Sequence, residues 1–133
     1  MKKIIFSTII VGIVLFLTNC HKIEPTKTVI TALNESKIPM QNVKILIHAE
    51  SSQSTPANVK IADSAYTNSK GQVEFDFSNI YKDGQAGVAV LDIKGTIKIA
   101  NIDYEGFSYV QLESGLTNPA TVIIAKKVVD SIP

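Results

Sequence analysis

The chain has 133 residues, with thirteen lysines and no arginine against twelve Asp plus Glu, and one cysteine. That length suits one ordinary domain, and a lone Cys excludes both an intrachain disulfide framework and a Cys-rich zinc module. A net charge of +1 argues against a nucleic-acid binder, which needs a concentrated basic footprint, and without arginine the bidentate fork that most often reads phosphate is missing.

Met1-Lys2-Lys3 is a short cationic start. Residues 4–17 carry no charge, and only Ser7, Thr8 and Gly12 fall below strongly apolar. As a helix this stretch is about 21 Å long at ~1.5 Å per residue, short of the ~30 Å hydrocarbon core. A cationic start followed by an apolar run of this size is the pattern of a secretory signal. No A-x-A arrangement closes it. Instead Leu17-Thr18-Asn19-Cys20 resembles the lipobox of bacterial lipoproteins, with Asn19 where members usually carry Gly, Ala or Ser. The resemblance implies that the Cys20 thiol takes a diacylglyceryl group as a thioether and that a dedicated peptidase cuts before it. Two or more acyl chains hold a protein stably on a membrane without spanning it. In that family an Asp after the Cys retains the protein at the inner membrane; here the residue is His21, which favours the outer membrane. The expected organisation is a signal peptide over 1–19, a lipidated tether over 20–26 and one domain over 27–133.

Without residues 1–19 the balance is eleven Lys against twelve acidic residues, too weak to bind nucleic acid or an anionic membrane by charge alone. The mature chain has fourteen Ile, ten Val and eight Thr against five Leu, and such stiff β-branched side chains suit a pleated surface. The first strand is expected over 28–33. Val43, Ile45, Ile47 and Ala49 alternate with Lys44, His48 and Glu50, a half-buried strand whose polar face is broken by Leu46. A strand over 61–67 follows. Asn68-Ser69-Lys70-Gly71 supplies turn chemistry before Val73, Phe75 and Phe77, which alternate with Gln72, Glu74 and Asp76. Further strands are expected over 87–93, 96–102, 107–113 and 121–129. Between them lie breaks at Asp83-Gly84, Gly95, Gly106, Gly115 and Asn118-Pro119. Ser51-Ser52-Gln53-Ser54-Thr55 reads as an exposed loop.

The expected fold is all-β: a seven- or eight-stranded antiparallel Ig-like (prealbumin-like) sandwich. Two segments carry a resemblance to the transthyretin-like, carboxypeptidase-regulatory-like superfamily, which includes the CnaB-type modules. They are Gln41-Asn42-Val43-Lys44-Ile45, after a Pro-containing turn, and Thr67-Asn68-Ser69-Lys70-Gly71-Gln72-Val73-Glu74-Phe75. The second is similar to the family's T-D-x-x-G-x-a-x-F turn and strand. These motifs are structural and speak to fold rather than activity.

Chemistry-bearing residues are few. His21 lies in the tether and His48 on a polar strand face, so no zinc set and no Ser-His-Asp order can be assembled, and no enzyme is expected. Some CnaB-type modules form a Lys-to-Asn crosslink beside a buried acid, which needs shared burial to neutralise the groups. Lys27, Glu74 or Asp76, and Asn118 fit this poorly, because both acids alternate with the apolar face. Asn101, Asp103 and Glu105 share one face of an extended strand and are candidate calcium ligands; an ordinary solvated strand edge is the other reading. Tyr81, Tyr104 and Tyr109 are candidates for a sugar platform, with packing at the sandwich ends as the alternative. The function expected is a membrane-anchored, non-catalytic envelope lipoprotein whose sandwich contacts another envelope protein or serves envelope structure. The alternative is an accessory module of an uptake complex that binds glycan or calcium.

Overall fold

A computed structural model describes residues 24–49, 61–80 and 89–128. Cys20, the leader, Tyr81 and the Asp83-Gly84 break lie outside the described residues, as does the Ser51–Thr55 loop. Seven strands are present: β1 (Lys27–Asn34), β2 (Lys44–Ala49), β3 (Ile61–Tyr66), β4 (Gln72–Asp76), β5 (Ala89–Ile99), β6 (Ile102–Leu112) and β7 (Thr117–Lys126). Among the described residues there is no helix. The strands form one mixed sheet in the order β3-β2-β5-β6-β7-β1-β4, curled into a nearly barrel-shaped all-β sandwich.

Alternation fixes which side chains are inside. Ile45 and Ile47 of β2, Leu91 and Ile93 of β5, Val110 and Leu112 of β6, and Val122 and Ile124 of β7 are all buried. They meet Ile30 and Ala32 of β1 and Val73 and Phe75 of β4 in one core. The Phe75 and Phe77 rings stack with centroids 6.5 Å apart. A one-residue slip in any of these strands would turn its apolar set to water, so the pattern itself specifies register.

Three features differ from the sequence expectation. First, β1 and β7 pair in parallel over eight residue pairs, Lys27 with Thr117 through Asn34 with Ile124. The other strand pairs are antiparallel. Strands that follow one another through tight turns must reverse, whereas β1 and β7 are joined by the whole domain and are free to run together. Second, Gly95 and Gly106 do not break strands. They sit opposite each other in the middle of the long β5–β6 ladder. A Cβ on Gly95 would lie 2.5 Å from Ile124 Cδ1, and one on Gly106 would run into the Ile123 carbonyl oxygen. These glycines allow β7 to approach closely, the other reason a strand carries glycine. Third, Asn118-Pro119 lies within β7 rather than before it; Pro119 pairs with Val29 of β1.

The real turn between β5 and β6 is Ala100-Asn101, inside a stretch that the sequence reads as strand. Ile99 pairs with Ile102, and both turn residues have positive φ, 48° and 65°. That is the pattern of a two-residue type I′ hairpin, which favours Asn-Gly. Alanine with positive φ carries a steric cost of roughly 1–2 kcal/mol. The double substitution Ala100→Asn/Asn101→Gly is therefore expected to stabilise the domain by about 1 kcal/mol, raising Tm by roughly 5 °C. An unchanged or lower Tm would contradict this turn type.

The Asn68–Gly71 turn forms as expected. Asn68 Oδ1 accepts the backbone N–H of Lys70 at 2.9 Å and of Gln72 at 3.1 Å, and Gly71 takes φ 72°. Buried Thr67 next to it donates its hydroxyl to the Met40 carbonyl at 2.7 Å and accepts the Val43 N–H at 3.0 Å. The start of β2 is thereby fastened to the end of β3.

Candidate functional site

The side chains of β3, β2, β5 and β6 that point away from the core form a four-strand outer face, and the registers order it into rows. Tyr66, Lys44, Thr96 and Glu105 make one row; Ser64, Leu46, Lys94 and Phe107 make the next; Ala62, His48, Asp92 and Tyr109 make a third. Val90 and Gln111 extend it beyond Tyr109, and Lys98 and Asp103 extend it beyond Glu105.

Two regions divide this face. The first is apolar. Phe107 is 67% exposed, Tyr109 64% and Val90 53%, and Leu46 lies in the Phe107 row with part of its surface open. Lys94 Nζ stands 5.3 Å from the Phe107 ring centroid, within cation–π range. Scattered apolar side chains are ordinary on a protein surface, whereas contiguous ones mark contact sites.

The second region is a groove of about 710 Å³ at the end of the face, lined by Tyr66, Tyr104, Asn42, Lys44 and Thr96 and by charged groups from β5, β6 and Lys127. Glu105 lies between two ammonium groups, 3.9 Å from Lys94 and 3.8 Å from Lys127, and Asp103 lies 3.9 Å from Lys98. All three distances exceed hydrogen-bond length, so these pairs are held by charge alone. Among the described residues Lys44 pairs with no carboxylate.

The structure divides the calcium candidates. Asn101 sits in the hairpin turn, whereas Asp103 and Glu105 share the outer face of β6, each opposed by lysine. A cation there would displace those ammonium groups, and among the described residues no three His, Cys, Asp or Glu side chains gather as a ligand set. The tyrosine candidates divide as well. Tyr109 faces out, but Tyr104 is turned to the core side and packs against it. The rings that do share the outer face are Tyr66, Phe107 and Tyr109. Sequence reasoning missed Tyr66 and Phe107, although alternation carried part of the signal: Phe107 and Tyr109 are two apart, with Val110 and Leu112 of opposite parity. Tyr66 joins them only through the β2–β3 register. His48 faces Asp92 with Nε2 4.0 Å from Oδ2.

At the opposite end of the sheet, the crosslink candidates have other partners. Lys27 Nζ donates to Glu74 Oε1 at 2.7 Å; this hydrogen bond and the Glu74 charge hold the Lys27 ammonium above its ordinary 10.5. The Ser78 hydroxyl and backbone N–H both donate to Asp76 and hold its carboxyl below its ordinary 3.8. Asn118 turns inward. Its Nδ2 donates to the carbonyls of Lys27 at 3.1 Å, Leu116 at 3.1 Å and Glu113 at 3.2 Å, while Oδ1 accepts the Glu113 N–H at 3.1 Å. Its amide is committed to backbone, and the Lys27 amine is committed to Glu74.

No protein-family model, no curated protein and no solved structure matches the chain.

Proposed function

We propose that the chain is a lipid-anchored, non-catalytic envelope lipoprotein, outer-membrane where there is one, whose sandwich binds another envelope protein. The anchor rests on the Leu17-Thr18-Asn19-Cys20 lipobox that closes the apolar leader. Support for the contact role comes from one observation above all: Phe107 and Tyr109 stand exposed two apart on β6, with Val90 diagonal to Tyr109 on β5 and Leu46 beyond Lys94 in the Phe107 row. Aromatic residues at the centre of such a patch are the usual energetic anchors of an interface. The resemblance to transthyretin-like modules agrees with a scaffold that carries binding surfaces rather than reaction centres.

The lead-in over Glu24–Thr26 is tied down where it meets the sheet. Thr26 N–H donates to Ser78 Oγ at 3.2 Å, its carbonyl accepts the Phe77 N–H at 2.8 Å and its Oγ1 accepts the Gly115 N–H at 2.8 Å. Tension on an acyl anchor would thus pass directly into β1, β4 and the β6–β7 turn.

Two measurements test the reading. Cys20→Ala is expected to abolish palmitate incorporation and move the protein from the membrane fraction to the soluble one; label that persists in the variant overturns the anchor. A photoreactive residue placed at Tyr109 in intact envelopes is expected to crosslink to one dominant protein, and the yield is expected to collapse in Phe107→Ser. Absence of any protein adduct at Tyr109 overturns the contact role.

A further inference from the structure

The groove at the far end of the outer face is chemically unlike the apolar patch beside it, and nothing in the contact reading uses it. We infer that it binds an acidic oligosaccharide, a chain of sugar rings bearing carboxylates of the uronic-acid type.

Size comes first. At about 710 Å³ the groove falls within the ~300–1,000 Å³ range of small-molecule sites. The Tyr66 ring, 64% exposed, stands at one side on β3, and the outward-facing Glu105 stands at the other on β6, three strand positions away. Strands lie about 4.8 Å apart, so the span between them is roughly 14 Å, long enough for more than one sugar ring. An exposed phenol ring offers a sugar both a flat apolar face and a polar edge.

The polar lining is the second argument. A vicinal diol is held best by a donor and an acceptor side by side, because each hydroxyl both gives and takes a hydrogen bond. Lys98 beside Asp103, and Lys94 and Lys127 beside Glu105, are such pairs, and their 3.8–3.9 Å separations leave the hydrogen-bonding positions of both partners unspent. Thr96 and Asn42 add neutral donors and acceptors on the same wall. Charge then selects the type of sugar. Four lysines (Lys44, Lys94, Lys98, Lys127) face two carboxylates. Lys44 is the ammonium among them without a carboxylate partner among the described residues, and it lies next to Tyr66 across the β2–β3 ladder. A ring stacked on Tyr66 would present its carboxylate to Lys44.

Placement agrees. The groove lies beside Thr96 and Glu105, at the end of the domain where Asn34 of β1 meets Ile124. Glu24–Thr26 enter at the opposite end, where Lys27 pairs with Asp76. The eight residues of β1 separate the two ends by about 26 Å.

Calorimetric titration of the detergent-solubilised full chain with oligogalacturonate tests this, with dextran fragments of matched length and a hexaglutamate peptide as controls. Oligogalacturonate is expected to bind at least about tenfold more tightly than either control, the scale of one lost charged hydrogen bond. Lys44→Gln and Tyr66→Ala are each expected to weaken it by about tenfold or more while melting like the parent. Lys44→Gln replaces an exposed side chain and serves as the folded probe if Tyr66→Ala does not fold. No binding, or equal binding of dextran, overturns the inference. Equal binding of hexaglutamate would make the site one for acidic peptides and overturn it too, as would full affinity in both variants. The inference needs neither the acyl anchor nor the Phe107 patch, so its failure leaves the contact reading standing.

Discussion

Gly106→Ala is expected to destabilise the domain by more than about 3 kcal/mol, the upper range for a residue forced into packed space. A single methyl there would occupy the position of the Ile123 carbonyl oxygen, which is backbone and cannot swing aside. β7 would have to withdraw from β6, and the two strands share only two registered pairs, Tyr104 with Lys126 and Glu105 with Ala125. Gly95→Ala is the internal control. Its added methyl would meet Ile124 Cδ1, the end of a flexible side chain, and a new rotamer relieves it. Thermal melts should separate the two by at least about 10 °C, given roughly 4–8 °C per kcal/mol for a domain of this size. Equal melting temperatures would mean that β7 does not cross here as described.

The second large effect is expected at Asn118. Asn118→Ala removes one acceptor and a donor shared among three carbonyls at a turn where the side chain is nearly buried. Stranded backbone groups cost about 1–3 kcal/mol each where water cannot reach them. With part of the set reopened to solvent, the expected loss is about 3 kcal/mol, or a Tm lower by roughly 15 °C. Asn118→Asp separates geometry from charge. Its carboxylate would point acceptor oxygens at acceptor carbonyls, so its pKa in the folded state is raised. The variant should therefore be at least as unstable as Asn118→Ala at neutral pH and regain stability relative to it as the pH falls through that raised pKa. A melt indistinguishable from the parent at neutral pH would remove Asn118 from this role.

Much of the fold was legible in the chain, and the gaps have physical causes. Period-two alternation located Val43 to Ala49 and Gln72 to Phe77 because one face of each is dry and the other wet. Asn68 and Gly71 announced their turn because an Asn side chain readily accepts backbone N–H groups just ahead of it and Gly71 holds a positive φ that few residues accept. The β5–β6 hairpin was misread for the converse reason. Gly95 and Gly106 look like punctuation, yet they serve close packing whose cause, Ile123 and Ile124, lies far along the chain. The true turn, Ala100-Asn101, uses a residue that local preference argues against, so nothing local revealed it. The parallel β1–β7 pair was hidden too, since a strand buried by parallel neighbours alternates like any other. At the site, Asp103 and Glu105 were correctly placed on one face, but their lysine neighbours come from β5 and from Lys127, beyond the reach of spacing. The ring set on the outer face became visible only once register set Tyr66, Phe107 and Tyr109 on one surface.

The parallel pairing also governs how the domain answers a pull. β1 and β7 run the same way over eight pairs, so force applied between Lys27 at one pole and Lys126 at the other slides the two strands lengthwise past each other. In that shearing geometry the whole ladder resists together, whereas peeling breaks its bonds one after another. A domain held at one pole and gripped at the other would therefore carry load across its strongest axis.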